Sequence, residues 1–332
     1  MKSPITGKEM ILKKEKRTVQ FRRKSFNIVY HYYYCSNSHE QFTTTQLDEL
    51  NTNQVYNQYR DLNHIPFPNE IVRIRKKYGL SALKMSEILG FGANSYRQYE
   101  KGEIPSVSNA RLIQMLDDPK KFIEMVKLCD TLDKTLKDKY LKTGLNLIEQ
   151  RKNDHFDFSE YLSGNHLADI YSGYKNPDFS KFTEMVVFFS EKTEPFKTKM
   201  NKLLFYADFL MFKQSGFSIS GMRYKAIEMG PVPNNFQSVF EYLANQNEIE
   251  ILYTQFPKGY IGEKFIVKGN RKFNPELFTK EELDVLNEIV RVFGKCTTKE
   301  MIDLSHKEKA WKENLNNKGT ISYKYAFDLI QI

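Results

Sequence analysis

The stretch from Asn69 to Asp117 constrains this chain more than any other. Ile71, Ile74 and Tyr78 recur at helical spacing, and Gly79 stops that helix. Leu80 or Ser81 opens a second helix carrying Leu83, Met85, Ile88 and Leu89, closed by Gly90. A tight turn at Phe91-Gly92 leads into a third, Ala93 to Lys101, stopped by Gly102. Pro105 and Ser106 introduce a fourth with Ala110, Leu112, Ile113 and Leu116. Short helices joined by a glycine-containing turn predict a helix-turn-helix, a motif whose second helix enters the DNA major groove.

The third helix is polar where a packed helix would not be. Asn94, Ser95, Arg97, Gln98 and Lys101 project outward on this reading, while Tyr96 and Tyr99 or Glu100 pack or pair inward. Asn and Gln hold adenine bidentately, and Arg and Lys suit guanine or phosphate. The solvated face of a small helical bundle would carry the same residue types. The run GLSALKMSEILGFGANSYRQYEKGEIPS resembles the Xre-type helix-turn-helix, and most of all the variant found in MqsA-type antitoxins, with their (V/A)N(A/S)(F/Y)xxYEKG recognition helix. The resemblance implies a homodimer on double-stranded operator DNA, with recognition helices in successive major grooves. It makes Asn94 and Gln98 the base readers, helped by Ser95 and Arg97, with Ser81, Lys84 and Lys101 on phosphates. Those antitoxins tend to carry Arg at the second base-reading position. Gln98 therefore implies a different operator.

A length of 332 residues predicts two to three domains, and 40% hydrophobic residues suffice for ordinary cores. The net charge of +9 favours an acidic partner such as nucleic acid. No apolar run of about 18 residues and no signal-peptide core is present, so a cytoplasmic protein without membrane contact is expected. Cys35, Cys129 and Cys296 are odd in number and far apart, which predicts free thiols and no disulfide framework.

Ahead of the helices lies a β-rich module, residues 1–63. Val19 to Arg22 alternates, and Phe26, Ile28, Tyr30, Tyr32 and Tyr34 share one face of a second strand. Thr43 to Thr45 cap a helix carrying Leu47, Leu50 and Val55 and ending near Arg60. Lys13, Lys14, Lys16, Arg17, Arg22, Arg23 and Lys24 read as a solvated basic face, or one that meets phosphate or a partner. In MqsA-type antitoxins this module resembles a zinc knuckle, with a CPxCG turn and a later CxxC. Here the turns are Ser3-Pro4-Ile5-Thr6-Gly7 and Cys35-Ser36-Asn37-Ser38. Structural zinc takes four Cys or His ligands, so no metal is expected.

Two prolines make Asn63 to Pro68 a linker to the helix-turn-helix, residues 66–128. Residues 129–177 read as a helical linker, with Leu132, Leu136, Tyr140 and Leu147 on an amphipathic helix that bridges or dimerises. From 178 to 332 the pattern predicts a helical domain with a small sheet. Met200, Leu203, Leu204, Ala207, Leu210 and Met211 form one wide helix face, Gly230 to Pro233 a rigid turn, and Thr279/Glu282 and Thr297/Glu300 two capping boxes that start helices ending near Phe293 and Ser305. The fold class is α+β, mostly helical.

KMNKLLFYADF, SISGMRYKAIEMGPVPNNF and LSHKEKAW, in that order, resemble the Panacea (SocA-like) domain of antitoxins. The resemblance implies toxin neutralisation by protein–protein binding, and the contact is placed on Tyr224, Lys225, Met229, Pro231, Asn234 and Asn235. Lys202, Tyr206, Asp208, His306 and Trp311 also fall on its motifs, as structural positions. HExxH, GxSxG and GxxxxGK[ST] are all missing, so a binding protein without cofactor is expected rather than an enzyme. Two other readings use the same residues: a phage or mobile-element repressor, and a hydrolase directed to DNA by the helix-turn-helix.

Overall fold

A computed structural model describes residues 1–153, 158–164, 166–259 and 261–332. The architecture is α+β and mostly helical. It divides once, into Met1–Asp157 and Phe158–Ile332, where the sequence predicts four segments. Of the expected linker at 129–177, residues 154–157 and 165 lie outside the described residues.

In the N-terminal unit β1 (Ile11–Phe21) and β2 (Lys24–Tyr34) pair antiparallel along their full length. β1 takes in the basic run as well as the alternating one. Its cations lie on the tyrosines of β2, Arg17 at 3.7 Å from the Tyr30 ring centre and Lys13 at 3.8 Å from that of Tyr34. β3 (Gln41–Phe42) covers the end of β2, and α1 (Thr45–Asn63), capped by Thr44, runs past Arg60 to Asn63. The side chains of α1 close the rest of that edge. Asn51 accepts from the His31 N–H and donates to its carbonyl, both at 2.9 Å. Gln54 does the same for Val29 at 2.9 and 2.8 Å, and Gln58 donates to Asn27 O at 3.0 Å. Spacing of three or four residues at ~1.5 Å rise matches every second strand residue at ~6.6 Å closely enough for flexible amides to bridge.

α2 (Pro68–Lys77), α3 (Ala82–Ile88), α4 (Ser95–Glu100), α5 (Val107–Met115) and α6 (Pro119–Leu128) follow. Ser81, Ser106 and Asp118 cap three of them. Their core holds Ile74, Tyr78, Met85, Tyr96, Ile113 and Phe122, with Tyr78 stacked on Phe122 at 3.7 Å. Leu83, expected inside, is 55% exposed. The proline-bearing linker is no hinge, because Ile65 and Phe67 are buried. Ile65 joins Phe26, Ile28, Val55 and Tyr59 in one cluster with Ile104 and Ala110 from beyond α4. Sheet and helices thus share a core. α7 (Lys134–Asn153) packs on α6 and gives Tyr140 to the same bundle, so its apolar stripe is spent within this unit.

The C-terminal unit comprises α8 (Phe158–Ser163), α9 (Phe179–Thr193), α10 (Lys197–Ser215), β4 (Tyr224–Ile227), β5 (Gly230–Pro233), α11 (Phe236–Asn245), β6 (Ile249–Gln255), β7 (Ile261–Val267), α12 (Lys280–Phe293), α13 (Thr298–Ser305) and α14 (Lys309–Lys312). α10 is buried on every side from Lys199 to Phe212, not along one face, because α9, α12, α13, β5 and β7 surround it. Gly230 to Pro233, expected as a turn, pairs with β4. Both capping boxes form, and their helices end at Phe293 and Ser305.

Asn51→Ala strands two buried backbone groups on His31, and a loss of about 2–4 kcal/mol is expected in urea denaturation. Gln58→Ala releases one carbonyl at the rim and should cost less than about 1 kcal/mol. Equal losses in the two variants would contradict the edge-closing role.

Candidate nucleic-acid interface

α4 is fixed from behind. Tyr96 is fully buried and donates its hydroxyl to Ile71 O at 2.9 Å. Glu100 accepts both Arg75 Nε at 2.6 Å and Nη2 at 3.2 Å, and Arg75 Nη1 also holds Leu80 O at 2.7 Å. A bidentate guanidinium–carboxylate pair defines an angle as well as a distance. Tyr99 completes the inner face, edge-on to Phe91 and accepting from Asn109.

The start of α4 is capped from the preceding helix. Buried Ser86 on α3 accepts the Tyr96 N–H at 3.1 Å, while Asn94 occupies the N-cap position and makes no side-chain cap. Asn94 therefore keeps its amide for the solvent side. Asn94, Arg97, Gln98 and Lys101 are exposed, with no side-chain partner among the described residues, and Ser95 is half-buried. The two proposed phosphate holders on α3 are already engaged. Ser81 Oγ accepts Lys84 N at 3.2 Å, and Lys84 pairs with Glu87 at 2.7 Å.

Arg60 holds the other end of α4. Its side chain is 1% exposed, donates to Asn57 Oδ1 at 3.1 Å and to Gly102 O, and leans on the rings of Tyr56 and Phe67. Burial pulls the guanidinium down to about 10. Arg22 adds a second clamp, donating to Ile104 O at 3.0 Å and Pro105 O at 3.3 Å. Sequence reading placed Glu100 inward but missed its partner Arg75, and missed Ser86 and Arg60. Their only early signal is polar residues on otherwise apolar helix faces.

The C-terminal residues expected to meet a toxin are not all at the surface. Tyr224 is fully buried and donates to Asp208 Oδ2 at 2.7 Å, and Pro231 is buried in β5, so neither side chain is presented at the surface. Met229 is 49% exposed at the tip between β4 and β5, Asn235 is exposed, and Lys225 and Asn234 are half-buried. Behind them Asp208 also accepts from Ile219 N and Ser220 N, both at 2.8 Å, and from Ser220 Oγ at 2.5 Å. His306 stacks on Trp311 at 3.8 Å with its Nε2 against Glu228 O, and Trp311 donates to Ile227 O at 2.7 Å.

Residues 1–127 match the family model described as "Antitoxin component of bacterial toxin-antitoxin system, MqsA", and residues 200–312 match "Antitoxin SocA-like, Panacea domain". The chain thus carries two regions that match antitoxin families. One falls within each structural unit. Antitoxin MqsA of Escherichia coli (strain K12) is 43% identical over 51 residues, which span 15% of this chain and 39% of that relative. No solved structure matches. Among the described residues no helix is long and apolar enough to cross a membrane.

Lys202, on a Panacea motif, is fully buried with its ammonium position against Pro231 O at 3.2 Å. Burial drives its amine down to about 7. An unfolded lysine titrates near ~10.4, so unfolding takes up a proton between those values and the penalty on the folded state fades as pH rises through that window. The stability of wild type relative to Lys202→Met should therefore climb from about pH 7 towards pH 10. A flat difference would rule out an uncharged Lys202.

Proposed function

We propose that this protein is the antitoxin of a toxin–antitoxin pair that represses its own operon through α3 and α4 and neutralises a cognate toxin through its C-terminal unit. One observation carries the DNA half. α4 is locked behind by Tyr96 and Glu100 and held at its end by Arg60, yet turns Asn94, Arg97, Gln98 and Lys101 outward unpaired. A solvated helix gains nothing from being held so firmly. A helix that must present amides at fixed positions to base edges does. Asn94 and Gln98 read bases, Ser95 and Arg97 assist, and Lys101 meets phosphate. Ser81 can donate its hydroxyl to phosphate while its oxygen caps α3, and Lys84 joins it only on leaving Glu87. A homodimer places two such helices on an inverted repeat.

The toxin half rests on the Panacea match and on the surface that survives burial: Lys225, Met229, Asn234 and Asn235. The exposed methionine at a hairpin tip gives an adaptable apolar contact.

Binding to the upstream region of its own gene tests the first half. Asn94→Ala and Gln98→Ala should each cut discrimination between operator and scrambled DNA by about 10–100-fold, equivalent to ~1–3 kcal/mol per base contact. Unchanged discrimination in both would refute the assignment. For the second half, co-expression with the neighbouring reading frame should show growth arrest relieved by the wild-type protein. Met229→Glu should lose that relief while keeping operator binding. Relief by Met229→Glu as full as by wild type would remove this surface from the model of neutralisation.

A further inference from the structure

The MqsA-type resemblance implies a zinc knuckle in the N-terminal module, and the donor set here does not fit one. The four ligand positions of its two turns are Ser3, Thr6, Cys35 and Ser38. Among the described residues no group of three or more His, Cys, Asp or Glu could hold a metal ion. Neutral hydroxyls do not replace thiolates around zinc. Yet both turns are closed by their own backbone hydrogen bonds. Gly7 N donates to Ser3 O at 2.9 Å with φ +66, Ser3 N to Lys8 O at 2.8 Å, His39 N to Cys35 O at 2.9 Å, and Cys35 N to Glu40 O at 3.0 Å.

What lies between the turns is polar and closed off. Cys35 is 1% exposed and Ser3 3%. Thr6 Oγ1 is 3.3 Å from Cys35 Sγ, and Ser3 Oγ accepts from Ile5 N and Thr6 N at 3.3 Å each. The Ser38 hydroxyl on the second turn is buried and makes no hydrogen bond to another described group. Apolar side chains could fill such a space but would leave the turn amides unpaired. Hydroxyls fill it and supply acceptors.

We infer that the Cys35 thiol and the hydroxyls of Ser3, Thr6 and Ser38 have taken the place of the cation at these four positions, with the Thr6–Cys35 contact joining the two turns directly. The module then folds without metal and stays within three substitutions of a four-thiolate site. Zinc knuckles draw folding energy from the ion, so a chelator unfolds them. This module is indifferent to it.

The experiment uses the full chain. Wild type purified with zinc present should hold less than about 0.1 zinc per chain, and its thermal transition should not move with EDTA. The triple variant Ser3→Cys/Thr6→Cys/Ser38→Cys should bind one cobalt(II) per chain, with the absorption of a tetrahedral tetrathiolate ion. Stoichiometric zinc in wild type overturns the inference, as does a folded triple variant that binds no cobalt. Thr6→Val keeps the side-chain shape and removes one hydroxyl, so it decides the matter if the triple variant does not fold. It should speed amide hydrogen exchange at Gly7 and Cys35 by 10-fold or more, and unchanged exchange at both overturns the proposed link between the turns.

Discussion

The open edge of β2 would leave the amides and carbonyls of Val29 and His31 without partners, and the N-terminal unit is arranged around closing it. A third full strand would do so, but β3 reaches only Tyr33 and Tyr34. α1 takes over with Asn51, Gln54 and Gln58, which fixes where the helix lies along the strand. Once α1 is placed, Arg60 near its end reaches Gly102 O, and Val55 and Tyr59 meet Ile104 and Ala110. α4 is therefore positioned in part from a sheet edge, through one helix and the buried Arg60. An unpaired buried backbone group costs about 1–3 kcal/mol, comparable to a sizeable share of a domain's net stability, so the arrangement is stringent.

The C-terminal unit meets the same obligation with different side chains. Its central helix carries Asp208, which receives the backbone of Ile219 and Ser220, Lys199, which caps the carbonyls of Gly294 and Cys296, and Lys202, set against Pro231 O. Asp208 and Lys199 bind irregular segments that no sheet ladder satisfies, and Lys202 holds a carbonyl of β5. Gly230 is needed where this happens, since a Cβ there would lie 2.6 Å from Lys202 Cε and 2.5 Å from Ser305 Oγ, at φ +98. Charged groups that look like candidate chemistry in the sequence are, in this unit, the means by which loops are tied to a buried helix.

These roles explain how the two candidate surfaces differ. At α4 the inner face is saturated by protein partners and the outer amides are left over, the division that the proposed reading surface requires. At the β4–β5 tip only Met229 and its neighbours emerge, because Tyr224 and Pro231 are consumed in holding the hairpin to the core. Family motifs mark both kinds of residue alike, so a motif match by itself does not separate scaffold from contact.

Local signals in the sequence determined much of this protein. Glycine stops, the serine caps of α3 and α5, the two capping boxes and the outward polarity of Asn94, Arg97, Gln98 and Lys101 are all short-range patterns, and the structure follows them. The loss of three thiol positions is equally legible, because donor chemistry is carried by residue type. Only the tertiary structure decided the rest. Prolines between Asn63 and Pro68 predict a break in the helix but not that Ile65 and Phe67 are buried there. Gly230 to Pro233 has turn composition yet becomes a strand, because β4 offers it partners. Arg60, Lys202 and Tyr224 are residue types expected at surfaces or interfaces, yet Arg60 and Lys202 are buried where distant backbone takes their hydrogen bonds, and Tyr224 where the Asp208 carboxylate takes its own. That demand is set by how loops meet helices in space, which no spacing along the chain encodes.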